Sequence, residues 1–213
     1  MSKTKPVSIT IQIMGDEDSG REEFLSNLLS NFSLKGKLLK TTKINNVEYS
    51  VIESTFDNKR INVNITLNSK RSFNVLKDAD CIIIMFNMTK RSSFESLLTN
   101  YLVWLRENGP EIKCLYVIGN CPDKTEDKRL VTDDEEVKEL LQVSKLEKKI
   151  IRGCYLNISD LNDEEKIEKI TALFLEVYLF LLGAEEREKI KAYYSGHSVG
   201  SKGKNGKEEC RLF

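Results

Sequence analysis

The sequence predicts an α/β fold: a mostly parallel sheet of six strands with helices on both faces and one antiparallel hairpin at its edge. Three observations carry this expectation. Short apolar runs at 81–86, 113–118 and 150–156 alternate with helix-period segments at 92–107, 133–143 and beyond 160. Two extended runs, 47–56 and 61–67, flank the turn signal Asp57-Asn58, and the second alternates strictly between apolar and polar residues. The chain opens with a strand, a glycine-bracketed loop and a helix, with Ile9, Ile11 and Ile13 alternating before Phe24, Leu25, Leu28 and Leu29.

In order, residues 1–6 form a polar lead-in, 7–14 the first strand and 20–31 the first helix. The basic, irregular stretch 32–46 reads as a long loop before the hairpin. A polar segment, 68–80, leads into CIIIMF at 81–86, a continuous apolar run suited to a strand covered on both faces. The next helix places Phe94, Leu97, Leu98, Tyr101, Leu102 and Leu105 on one side, and Gly109-Pro110 stops it. Thr132 is the expected N-cap of the acidic-started helix 133–143. The last helix carries Ile167, Ile170, Leu173, Phe174, Val177, Tyr178 and Leu181, and the domain ends near 194. Residues 195–213, rich in glycine, serine and lysine, form a flexible tail.

Composition narrows the chemistry. Thirty-three basic residues balance 33 acidic ones, so no net field draws in nucleic acid. Five scattered cysteines and one histidine, His197 in the tail, lack the clustering of a disulfide framework or a metal site, and no metal ligand is assigned. The N-terminus has no signal-like apolar segment, and 170–184 is too short to span a bilayer. A cytosolic, reducing environment is expected.

The first loop keeps the spacing of the phosphate-cradling sequence G-x-x-x-x-G-K-[ST] as Gly15-Asp16-Glu17-Asp18-Ser19-Gly20-Arg21-Glu22. Both chemical positions differ. Arg21 offers a planar fork where a compact ammonium belongs, and Glu22 stands where a hydroxyl would ligate magnesium. Asp16, Glu17, Asp18, Glu22 and Glu23 crowd negative charge around a site for an anion. At an effective dielectric of about 20, like charges roughly 5 Å apart repel by about 3 kcal/mol. A helix N-terminus offsets only about 0.3–1 kcal/mol of that. Magnesium triphosphate should bind poorly unless some carboxylates turn away; a plain strand-to-helix turn with an acidic helix start is the other reading.

Two further stretches carry a family resemblance. Asp78-Ala79-Asp80 precedes CIIIMFNMTKRSSFESL, with its Asn87-x-Thr89 and Ser93-Phe94, and Val117-Ile118-Gly119-Asn120-Cys121-Pro122-Asp123 follows in register. With the first loop and the order of elements, the chain over about 7–182 resembles the Ras superfamily of small GTPases, nearest to its Ras and Rab branches. The resemblance implies the three-layer P-loop NTPase fold and GTP or GDP as cofactor. Asp123 would accept the paired N–H donors of guanine, while Asn120 anchors the loop and touches the ring. Cys121 replaces the lysine that lies along the base, and a simple turn through Pro122 is the alternative. Ser159 falls in the fifth motif, but Asp160 reverses its usual lysine charge, and both fit better as caps of the last helix.

The hydrolytic element has no counterpart. Leu67-Asn68-Ser69-Lys70 occupies the place of the D-x-x-G motif, and Ile44 stands at the switch-threonine position, with Thr41 and Thr42 close by. No catalytic residue is assigned and magnesium is not expected to be held. The resemblance therefore implies a membrane-anchored signalling or vesicle-trafficking module that docks effector or regulator proteins with weak or no GTP hydrolysis. An atypical but active GTPase, cycling with partner proteins, is the alternative.

Cys210-Arg211-Leu212-Phe213 matches C-a-a-X, with a terminal phenylalanine pointing to geranylgeranylation, although Arg211 departs from the usual aliphatic residue. The expected location is the cytoplasmic face of a membrane, with a cytosolic pool. One lipid chain anchors reversibly, and Lys202, Lys204 and Lys207 add about 1 kcal/mol each at most, less what Glu208 and Glu209 cancel. Cys210→Ser should move the protein to the soluble fraction of cells that express it. Retention in the membrane fraction would exclude attachment through this cysteine.

Overall fold

A computed structural model describes residues 7–32, 36–44, 47–56, 59–68, 79–108, 112–122, 133–143, 150–159, 161, 164–166, 168–170, 172–173 and 177. The strands are β1 (Val7–Gly15), β2 (Gly36–Ile44), β3 (Val47–Phe56), β4 (Lys59–Asn68), β5 (Cys81–Asn87), β6 (Ile112–Asn120) and β7 (Ile150–Asn157). They form one sheet in the order β2-β3-β4-β1-β5-β6-β7. β1 pairs in parallel with β4 and β5, and β5-β6 and β6-β7 continue the parallel run. β3 pairs antiparallel with both β2 and β4, so it alone runs against the rest.

The α/β class, the mostly parallel sheet and the antiparallel β3-β4 hairpin agree with the sequence reading. The stretch expected as a loop differs: Gly36–Ile44 is a further strand, outside the hairpin at the sheet edge. The register of β2 shifts between Leu38 and Lys40, an irregularity of the β-bulge kind. Such a shift breaks the two-residue alternation by which a strand is recognised. Lysines at 37, 40 and 43 further mask an edge strand, where charge is common.

Both faces of the sheet are covered. On one face Ile9, Ile11 and Ile13 of β1 meet Phe24, Leu25 and Leu28 of α1 (Arg21–Phe32). Ile170, Leu173 and Val177, among the helical residues between 164 and 177, complete that layer. On the other face Ile82, Ile84 and Phe86 of β5 pack with Phe94, Leu97, Tyr101, Leu102 and Leu105 of helix α2, residues 91–108. Val137 and Leu141 of α3 (Asp134–Val143) join them. The central strand β5 is buried throughout, which explains why it is apolar without alternation. Burial pushes the Cys81 thiol well up, with Cys114 and Asp80 adding to the shift, so it is an inert core thiol.

Two details modify the expected elements. α2 contains a π-helical stretch, Leu97–Leu102, between two α-helical segments. The start of α3 is capped by Asp133, whose Oδ1 accepts the Glu136 amide at 2.8 Å. Thr132, the cap expected from sequence, lies outside the described residues, as do Asp57, Asn58, Asp123, Asp160, the segment 69–78 and the tail with Cys210.

Phe94 is fully buried, its ring centroid 5.7 Å from that of Phe86 and capped by the Arg91 guanidinium at 5.0 Å. Phe94→Ala should lower stability by about 3–5 kcal/mol, read as a shift of the urea midpoint. A loss near zero would contradict this packing.

Candidate functional site

In a parallel sheet, groups that bind or position ligands gather beyond the C-terminal ends of the strands. Here three neighbouring strands, β5, β6 and β7, each end on an asparagine: Asn87, Asn120 and Asn157. Asn87 stands in register with Asn120, and Asn157 with Gly119. A carboxamide can donate and accept at once, so each can tie two segments together.

Asn87 donates from Nδ2 to the Asp18 carbonyl at 2.9 Å, and its Oδ1 accepts the Thr89 amide and hydroxyl at 2.9 and 2.7 Å. Its own amide donates to Ser93 Oγ at 3.0 Å. Asn87-x-Thr89 and Ser93 are therefore one hydrogen-bonded turn that also grips the first loop. Asn120, 4% exposed, donates from Nδ2 to the Ser19 carbonyl at 3.0 Å. Its Oδ1 accepts the Lys166 ammonium at 3.4 Å. Asn157 donates to Asp134 Oδ1 at 2.8 Å, and its own Oδ1 accepts the Ser159 amide at 2.8 Å.

The loop that these asparagines hold is compact. Glu17–Ser19 forms a single 3₁₀ turn. Within it the Ser19 amide and hydroxyl both donate to the Asp16 carbonyl, at 3.1 and 2.7 Å. Arg21 is 3% exposed and its Nη1 donates back to the Gly15 carbonyl. Both glycines are required by geometry. Gly15 has φ 143°, and a Cβ there would sit 2.2 Å from the Met85 carbonyl oxygen. Gly20 has φ 78°, and a Cβ there would sit 2.4 Å from Asn120 Nδ2. A side chain at either place would collide with a strand end and strain the backbone.

The acidic residues of the loop are dispersed. Asp16 Oδ1 accepts hydrogen bonds from Ser96 Oγ at 3.1 Å and Tyr101 OH at 3.3 Å, both on α2. These two residues are five apart, and the i→i+5 pattern of π winding brings such residues toward one face. Asp18 Oδ2 lies 2.7 Å from the Lys90 ammonium. Glu17, Glu22 and Glu23 are exposed. Two of the five carboxylates thus have partners in the turn and helix after β5, which relieves the crowding expected from sequence.

The structure therefore brings residues 15–21 and Asn120 together as one connected cluster. Glu22 faces solvent at the start of α1. Ser159 stands beyond β7 with its amide spent on Asn157, and Asp123 lies outside the described residues. Sequence reasoning missed Asn157 and Lys166 as members of this edge, and saw Asn87 only as a motif letter. The signals were present. Two apolar strands end on asparagine at matching positions, and Lys166 heads the stripe Ile170, Leu173, Val177 at helical spacing. No protein-family model matches the chain, and no curated protein matches it.

Asn120→Ala removes both ends of the central tie and leaves the Ser19 carbonyl and a buried lysine short of a partner. A loss of about 1–3 kcal/mol in folding stability is expected, the cost of a buried polar group left unsatisfied. An unchanged melting temperature would show that the carboxamide holds nothing.

Proposed function

We propose that the chain is a divergent Ras/Rab-like small GTP-binding protein that works as a membrane-anchored docking module in signalling or trafficking, with weak or no GTP hydrolysis. The observation that carries this reading is the state of loop 15–21, which keeps the outline of a phosphate cradle but spends its groups internally. The Ser19 amide serves the turn, the Arg21 guanidinium serves the Gly15 carbonyl, and Glu22 has no hydroxyl to offer magnesium. On this reading a magnesium triphosphate finds a poor fit in these residues, and no hydrolytic step is assigned to any side chain. Effector or regulator proteins are the expected partners, and Cys210 supplies the prenyl anchor at the cytoplasmic face of a membrane.

One observation favours the second reading, an atypical GTPase that cycles with partner proteins. Asn120 ties its strand to the loop at Ser19, the anchoring role that a base-reading asparagine would have, and Asp123 follows at the spacing suited to guanine. A single-turnover assay with magnesium and radiolabelled GTP separates the two. No hydrolysis above the uncatalysed background is expected. Hydrolysis at the rate of an ordinary small GTPase would overturn the first reading in favour of the second.

A further inference from the structure

α2 changes its winding where its own sequence does not ask for it. The π-helical stretch Leu97–Leu102 lies between α-helical segments. An interruption of this kind normally traces to proline, glycine or an inserted side chain, and residues 91–108 contain neither proline nor glycine. The core does not require it either. Phe94, Leu97, Tyr101 and Leu105 are all buried and follow one another at steps of three and four, the spacing of an unbroken α-helix.

Two side-chain contacts compete as the cause. Thr99 Oγ1 donates to the Glu95 carbonyl at 2.8 Å on the exposed side of the helix, a back-bond of the kind that bends helices. From the first loop, Asp16 Oδ1 accepts the Ser96 hydroxyl at 3.1 Å and the Tyr101 hydroxyl at 3.3 Å. Ser96 directly precedes the π stretch and Tyr101 lies within it, five residues on. At 3.6 residues per turn such a pair stands about 140° apart around the axis. Winding with i→i+5 bonds brings the pair toward one face, where a single oxygen can serve both. Asn100 Nδ2 donates to Ser96 Oγ at 3.0 Å, which leaves the serine proton for Asp16.

We propose that Asp16 imposes the π winding of α2, and that α2 thereby relays the position of loop 15–21 to the surface of the molecule. A change that draws Asp16 away frees α2 to take the α-winding that its apolar spacing suits. By linkage, a partner protein that favours one winding moves Asp16, and the loop with it. The residues redirected are those after the stretch, where Arg106 and Glu107 are exposed and Val103 and Trp104 half-buried. The relay needs no bound nucleotide and stands apart from the proposed function.

The test uses isotope-labelled full-length protein and NMR couplings across hydrogen bonds, which identify the carbonyl that each amide of α2 bonds to. The wild type should show i−5 acceptors in the stretch. Asp16→Ala should move them to i−4 and shift the amide resonances of Arg106 and Glu107. Asp16→Asn, which keeps an acceptor oxygen, and Thr99→Ala should both keep the wild-type pattern. Retention of i−5 acceptors in Asp16→Ala, or their loss in Thr99→Ala, would put the cause within α2 and overturn the proposal. Unmoved resonances at Arg106 and Glu107 would refute the relay. Should Asp16→Ala not fold, the double variant Ser96→Ala/Tyr101→Phe removes both donors from the helix side. The same move to i−4 is then expected, and an unchanged pattern is again the refuting result. GTP hydrolysis by the wild type would count against the proposed function alone, since the comparison between variants does not depend on it.

Discussion

The arrangement at the strand ends depends on the two-ended hydrogen bonding of the Asn120 carboxamide. It lies at the C-terminal end of a buried strand, with one end committed to the first loop and the other to the last helix. Segments more than 100 residues apart in the chain are joined there, since Ser19 and Asn120 are separated by 101 positions. In a buried setting such a bond contributes about 0.5–1.5 kcal/mol net, but breaking it on one side costs more than that because the abandoned group stays buried. Asn87 repeats the device one strand away, so the loop is held at consecutive carbonyls, Asp18 and Ser19.

Charge at the loop is handled by orientation. Five carboxylates near a helix start would repel one another strongly if all pointed inward. Asp16 instead faces α2, where the hydroxyls of Ser96 and Tyr101 converge on it, and Asp18 reaches Lys90. The Asp18–Lys90 pair is about two-fifths exposed on each side and contributes little by itself, typically about 0–1 kcal/mol. Asp16 matters more as a connection, because it ties the loop to α2 just as Asn120 ties it to the last helix. The loop is consequently framed by both helical layers as well as by the sheet.

Much of the architecture was readable from periodicity. Buried β5 and the alternating β1 and β4 announced themselves: β5 is apolar and buried throughout, while β1 and β4 set Ile9, Ile11, Ile13 and Val63, Ile65, Leu67 at every second position in one core layer. β2 was unreadable because a register shift and three lysines erase alternation at an edge. At the site, glycine spacing was informative, since Gly15 and Gly20 answer to steric limits that only glycine meets. Polar pairings across the fold were not readable. Nothing in the letters around Asp16 says that it looks to Ser96 and Tyr101, and Lys166 appears from sequence as one charge among many. Its position at the head of an apolar stripe was the clue to a buried role.

The central claim is that side chains of the protein itself close the loop. Mass spectrometry of denatured protein, purified in full length from its native source, measures this directly by asking what leaves with it. The closed loop predicts no stoichiometric guanine nucleotide. One GDP or GTP released per chain would contradict it, because a nucleotide seated in this loop would have to displace the bonds that the Ser19 amide and the Arg21 guanidinium make within it.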